Sequence, residues 1–195
     1  MNNRQIQEER IKGYFLDAAK HLLRTKGLQG VSVRSVASLA GYSYATLYNY
    51  FKDIKELLFR CVEDFCREAE AFVQERSRDA EGGKARLRAT ARAYAEYLAG
   101  HPGVFELFFL ERLGELESRV ETAGRITGLL DGLCAASLEA CVAEGSYDPA
   151  EAAAVMEELR YALPGMLLLY HNRLAPREEE AFLNALDREL DRIFR

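Results

Sequence analysis

One stretch, from Ser32 to Phe51, limits what this chain can fold into more than all the rest. Ser32 and Ser43 each stand where a side-chain oxygen can accept from the free N–H groups of a helix start, and Gly41 stands where a first helix must stop and turn. Two short helices at a steep angle follow from that punctuation. Val36, Ala37 and Ala40 give the first a narrow apolar face; Leu47 and Phe51, four apart, give the second a face that packs against it. What remains outward on the second helix is Tyr44, Ala45, Thr46, Tyr48, Asn49 and Tyr50. That small, polar and aromatic surface suits a DNA major groove.

The flanks extend the pattern. Phe15 to Lys26 reads as the end of a helix closed by Gly27, and Asp53 with Glu56 three residues later reads as a capping box that opens another. With Ala18, Ala19, Gly27, Ser32, Ala37, Ala40, Gly41, Ser43, Leu47, Tyr48, Tyr50, Phe51 and Leu57 at fixed spacing, the region from Ile6 to Leu58 resembles the tetracycline-repressor (TetR) family of bacterial regulators.

Charge agrees with a nucleic-acid partner once it is divided. The chain carries -5 overall, but residues 1–60 hold ten basic against five acidic side chains, a net +5, and the remainder carries -10. A basic head and an acidic body present one end to phosphate and keep the other away from it. With 195 residues and 49% hydrophobic content the chain can bury a real core. No apolar run is expected to approach the roughly 20 residues that span a bilayer, and the polar start lacks a signal-peptide core. The expectation is a cytoplasmic protein without membrane attachment. Cys61, Cys66, Cys134 and Cys141 match no zinc or redox spacing and read as small buried hydrophobes, with a thiol sensor as the lesser alternative.

The pattern along the chain predicts an all-α protein of about nine helices: residues 1–53 as the DNA-binding domain, 54–195 as an effector-binding and dimerisation domain. A long helix runs from Ile54 toward Arg78, another from Ala85 to Ala99, and a short one, apolar almost all round, from Val104 to Leu113. Gly124, Gly128 and Gly132 form a smooth strip along the next, expected to let a neighbouring helix approach closely. Asp148-Pro149 and Pro176 each open one of the last two helices. Pro164 falls inside the first of these, where a kink or loosened backbone is expected.

Residue roles follow at the DNA end. Arg34 is placed for a bidentate contact to guanine and matches a base-reading position of the family. Ser43 caps the reading helix, Tyr44 and Thr46 meet a thymine methyl or a base edge, and Ala45 stays small for close approach. Asn49 is a candidate for adenine or phosphate. The resemblance assigns Tyr48 and Tyr50 to phosphate. It also expects a lysine where this chain has Ile54, leaving Lys52 or Lys55 as substitutes.

In the body, the resemblance places a variable effector pocket among helices four to eight. Tyr94, Tyr97, His101, Phe105, Phe108, Arg112, Tyr161, Met166 and Tyr170 are its candidate lining residues, mixing aromatic walls with a few polar groups. It also implies a homodimer through a four-helix bundle of the last two helices, with Leu159, Leu163, Leu167, Phe182, Leu186, Leu190 and Ile193 as candidates. Two readers would match a palindromic operator in double-stranded DNA. No catalytic residue, metal site or cofactor is expected, because the three histidines stand on separate segments without a nucleophile or phosphate-loop motif. A ligand-responsive repressor is the leading reading; a DNA-binding protein of the same fold without an effector, organising DNA or recruiting partners, is the alternative.

Overall fold

The computed structural model describes residues 3–111 and 120–195. Among them are nine α-helices and no strand: α1 Asn3–Lys26, α2 Val33–Ala40, α3 Tyr44–Tyr48, α4 Ile54–Ser77, α5 Gly83–Gly100, α6 Pro102–Phe105, α7 Val120–Ala143, α8 Pro149–His171 and α9 Glu179–Ile193.

Short polar side chains fix several of the helix starts. Ser32 accepts from the Ser35 N–H at 3.1 Å and Ser35 Oγ accepts from the Ser32 N–H at 2.8 Å, closing a capping box on α2. Gly41, at φ 78° and ψ 24°, takes the left-handed turn and lets the Tyr42 N–H reach the Ala37 carbonyl at 3.0 Å. Ser43 accepts from the Thr46 N–H at 3.1 Å and opens α3. Asp53 caps α4 through the Glu56 N–H at 2.8 Å, while the Glu56 carboxylate reaches one residue further back, to the Lys52 N–H. Asp148 and Glu151 form the box that opens α8, with Pro149 in the first turn.

Among the described residues, contacts gather the chain into two compact units, Met1–Phe65 with His101–Ala123, and Cys66–Gly100 with Gly124–Arg195. The first is wider than residues 1–53. It centres on Phe15, whose ring meets Tyr42 at 5.4 Å and Phe51 edge-on at 6.2 Å, above buried Ala18, Ala19, Leu22, Val36, Ala37, Leu47 and Leu57. It also takes in the opening of α4 and the chain from His101 onward. Gly103 of α6 lies against the Leu23 carbonyl of α1, and the Glu106 carboxylate accepts from the Leu28 N–H at 2.7 Å.

In the second unit, α5, α8 and α9 share a core built from Leu87, Ala91, Leu98, Leu159, Leu163, Phe182, Leu186 and Leu190. Arg88 and Arg92 of α5 tie α9 at its rim, to Asp191 at 2.9 Å and to Asp187 at 3.0 Å. Cys61, Cys66, Cys134 and Cys141 are all buried, in keeping with the packing role read from the sequence. Burial pushes the Cys61 and Cys134 thiols up to about 12, so neither is a thiolate at neutral pH and the sensor alternative loses its chemistry there.

Four expectations are corrected. The final helix begins at Glu179 rather than Pro176, because Glu178 is still extended at φ -95° and ψ 143°. The helix expected over Val104 to Leu113 is a single α turn followed by a π turn, Glu106–Leu110, ending where Glu111 becomes extended; residues 112 and 113 lie outside the described residues. The strip of Gly124, Gly128 and Gly132 faces open space, with no group within 4 Å of where a Cβ would stand. Lastly, Thr122–Ala143 is long and apolar enough, by length and composition alone, to cross a bilayer. Ile126, Leu129, Leu130, Cys134 and Cys141 on it are buried in the unit. Pro164 sits within α8, which is helical on both sides of it.

Candidate functional site

The sequence places a short helix with an apolar inner side at Leu47, and the structure shows what that leaves outside. Leu47 and Phe51 are wholly buried against α1 and α2, so Tyr44, Ala45, Tyr48 and Asn49 are turned to solvent. Tyr44 and Tyr48 are 61% and 52% exposed, unusual for large rings with no partner side chain to cover them. Thr46 and Tyr50 are half-buried at the edges, Tyr50 leaning on Phe15 at 6.3 Å. Ser43 is exposed but its hydroxyl is committed, to the Thr46 N–H and to Thr46 Oγ1 at 2.9 Å. Its part is to hold the first turn of α3 rather than to offer a free donor.

Cations frame this surface unequally. Arg34, in the first turn of α2, and Lys52, just before α4, are exposed and have no carboxylate within ion-pair distance among the described residues. Lys55 is different. Its ammonium lies 3.1 Å from Glu111, at the end of the π turn. That pairing was not foreseen, since 56 positions separate the two residues.

The predicted body residues are divided between the two units. Tyr94 and Tyr97 are buried in the second unit, and Tyr97 meets Phe72 at 5.7 Å. Phe105 and Phe108 are buried in the first unit, where Phe105 packs on Phe109 at 5.2 Å, and His101 precedes them half-buried. Met166 is half-buried; Tyr170 stacks on Phe182 at 4.5 Å. Tyr161 is 73% exposed on the outer side of α8. Arg112 lies outside the described residues.

The seven residues expected at a dimer interface, Leu159, Leu163, Leu167, Phe182, Leu186, Leu190 and Ile193, are all buried within the single chain. Their apolar stripes hold α8 and α9 to each other and to α5. On the other side of α8, Tyr161, Leu168 and Leu169 stand exposed.

Residues 15–61 match the family model described as bacterial regulatory proteins, tetR family. The head of the chain, over those residues, is thus of the tetR type. The whole fold agrees at low identity. A TetR family transcriptional regulator, PfmR from Thermus thermophilus, is 22% identical over 92% of this chain and 96% of its own, with a TM-score of 0.64. The ketosteroid transcriptional regulator KstR2 of Mycobacterium tuberculosis is 18% identical over 94% and 92%, with a TM-score of 0.65. FadR from Bacillus subtilis, solved in complex with stearoyl-CoA, is 19% identical over 91% and 96%, with a TM-score of 0.68. The surface of α2 and α3 lies within the matched residues, as a helix-turn-helix of the tetR type.

Proposed function

We propose that this protein is a ligand-responsive transcriptional repressor that binds a palindromic operator as a homodimer in the cytoplasm and is released by a small-molecule effector. The observation that carries the DNA half is the outward face of α3, two uncovered tyrosines and an asparagine flanked by the unpaired cations Arg34 and Lys52. Arg34 reads a guanine, Tyr44, Thr46 and Asn49 meet base edges, and Tyr48, Tyr50 and Lys52 hold phosphates. Lys52 takes the place of the lysine missing at Ile54, because Lys55 is occupied by Glu111. The reading is non-enzymatic: His21, His101 and His171 stand apart, and His171 Nε2 is engaged with the Leu98 carbonyl at 3.1 Å.

Residues 54–195 serve the effector and the partner. A ligand that favours one packing of the body helices shifts the population of α4 positions, and paired recognition helices then no longer fit successive major grooves. Releasing DNA on the order of a hundredfold needs a discrimination of about 2.7 kcal/mol between the two states.

Arg34→Ala is expected to weaken operator binding by about 1–3 kcal/mol and relax choice at one base pair. Electrophoretic retardation on an operator series checks this, and an equal loss on random DNA removes the base-reading role. Glu111→Gln tests the other cation. An exposed pair is worth at most about 1 kcal/mol, so stability should hardly move. DNA affinity should rise a few-fold at low salt, with the salt slope steeper by about one phosphate. An unchanged slope would show that freed Lys55 does not reach DNA.

A further inference from the structure

In the second unit, α4, α5 and α7 border an open groove of about 510 Å³, lined among others by Val73, Ser77, Arg86, Thr90, Leu133 and Ser137. Leaving Tyr and Cys aside, the buried polar side chains among the described residues are Ser77, Thr90 and Ser137, and all three line it. A serine or threonine inside a helix ordinarily satisfies its hydroxyl on the carbonyl four residues back. Ser77 does so, donating to the Val73 carbonyl at 2.8 Å. Thr90 and Ser137, only 3% and 5% exposed, bond to no protein group among the described residues, and their hydroxyls are left to the groove.

Arg86 stands one helical turn before Thr90 on the same side of α5. Its Nε donates to the Ala80 carbonyl at 3.2 Å and its Nη2 to the Arg78 carbonyl at 2.8 Å, leaving Nη1 uncommitted. No carboxylate lies within ion-pair distance of Arg86 among the described residues, so its charge is uncompensated. The other charges on the wall are spoken for. Glu70 is held by Arg125 Nη2 at 2.5 Å, and Arg78 pairs with Glu75 and Asp79. In the adjoining cleft of about 390 Å³, which shares Arg86, Ala136 and Ser137 with the groove, Glu144 accepts from the Gly83 N–H at 3.2 Å.

Two unpartnered hydroxyls and an uncompensated guanidinium beside an apolar wall of Val73, Leu133 and Ala136 match a carboxylate on a compact apolar body. We propose that this groove binds a small organic carboxylate, its oxygens on Thr90, Ser137 and Arg86 and its apolar part against Val73 and Leu133. Because α4 forms one wall, an occupant stiffens α4 against α5 and α7. That consequence for DNA rests on the repressor reading above; the binding site itself does not.

The probes are octanoate and phenylacetate, each against its neutral amide, titrated into the full chain and read by saturation-transfer NMR and melting temperature. The expected result is that at least one acid saturates the protein and raises its melting temperature, with the amide about tenfold weaker. Thr90→Val with Ser137→Ala should lower acid affinity about tenfold; if the pair fails to fold, Ser137→Ala alone gives the same reading. Arg86→Gln should abolish the preference for acid over amide, whereas a purely structural role would weaken both alike. Absence of binding by both acids at millimolar concentration, equal affinity of acid and amide, or undiminished binding by the variants overturns the proposal. Retardation of operator DNA separates the two ideas. An acid that binds in the groove without releasing DNA keeps the site and removes its regulatory role. Release that survives in the groove variants keeps an effector and places it elsewhere.

Discussion

Gly103→Ala is expected to cost the first unit about 3 kcal/mol, at the upper end of what overpacking a tight site costs. A Cβ at this position falls well inside van der Waals contact distance of the Leu23 carbonyl oxygen and 3.1 Å from the Cα of Gly27. Both are backbone atoms, so no side-chain rotation relieves the clash. The Leu23 carbonyl cannot yield without disturbing the bond it accepts from the Gly27 N–H at 3.1 Å, and that bond ends α1. Gly27 itself has a φ of 68°, so the chain there has little room to adjust. Moving α6 away instead draws Glu106 from the Leu28 N–H, its partner at 2.7 Å. Thermal unfolding should show a drop of roughly 6–12 °C. Gly13→Ala, where nothing lies within 4 Å of the new methyl, is the control and should be neutral or stabilising by up to about 1 kcal/mol. Equal melting of the two variants would show that α6 does not press on α1 in solution.

The same contact shows where reading the sequence stops. Local punctuation was legible because its physics lies within a few residues: Ser32, Gly41, Ser43, Asp53 and Asp148 each do at short range what their position suggests. The apolar stripes of α8 and α9 were legible as stripes, but periodicity says only that a face is buried and not against what. Leu186 and Leu190 therefore looked available to a second chain when α5 of the same chain covers them. Long-range polar pairings left no local trace either. Nothing near Lys55 announces Glu111, and nothing near Leu28 announces Glu106. Thr90 and Ser137 read as unremarkable helix residues, since their missing partners become visible only when α4, α5 and α7 are brought together.

Tyr161→Glu with Leu168→Glu is expected to give a folded monomer whose operator affinity falls roughly a hundred- to ten-thousand-fold, the range by which two linked readers exceed one. The two positions lie seven apart on α8, with exposed Gly165 between them, and are 73% and 40% exposed, so the substitutions leave the chain's own packing alone. On α9 the exposed Ala181 and the half-buried Ala185 are small enough to let a second copy of α8 and α9 come close. Leu186→Glu with Leu190→Glu makes the contrast. Both leucines are wholly buried against the same chain, and a carboxylate at either has no partner to offset its loss of water. That variant should lose its cooperative melt rather than dissociate. Sedimentation with circular dichroism tells the outcomes apart. A monomer with native helix content from the first pair and an unfolded chain from the second place the dimer on the outer side of α8. A first pair that still sediments as a dimer moves the interface to another face.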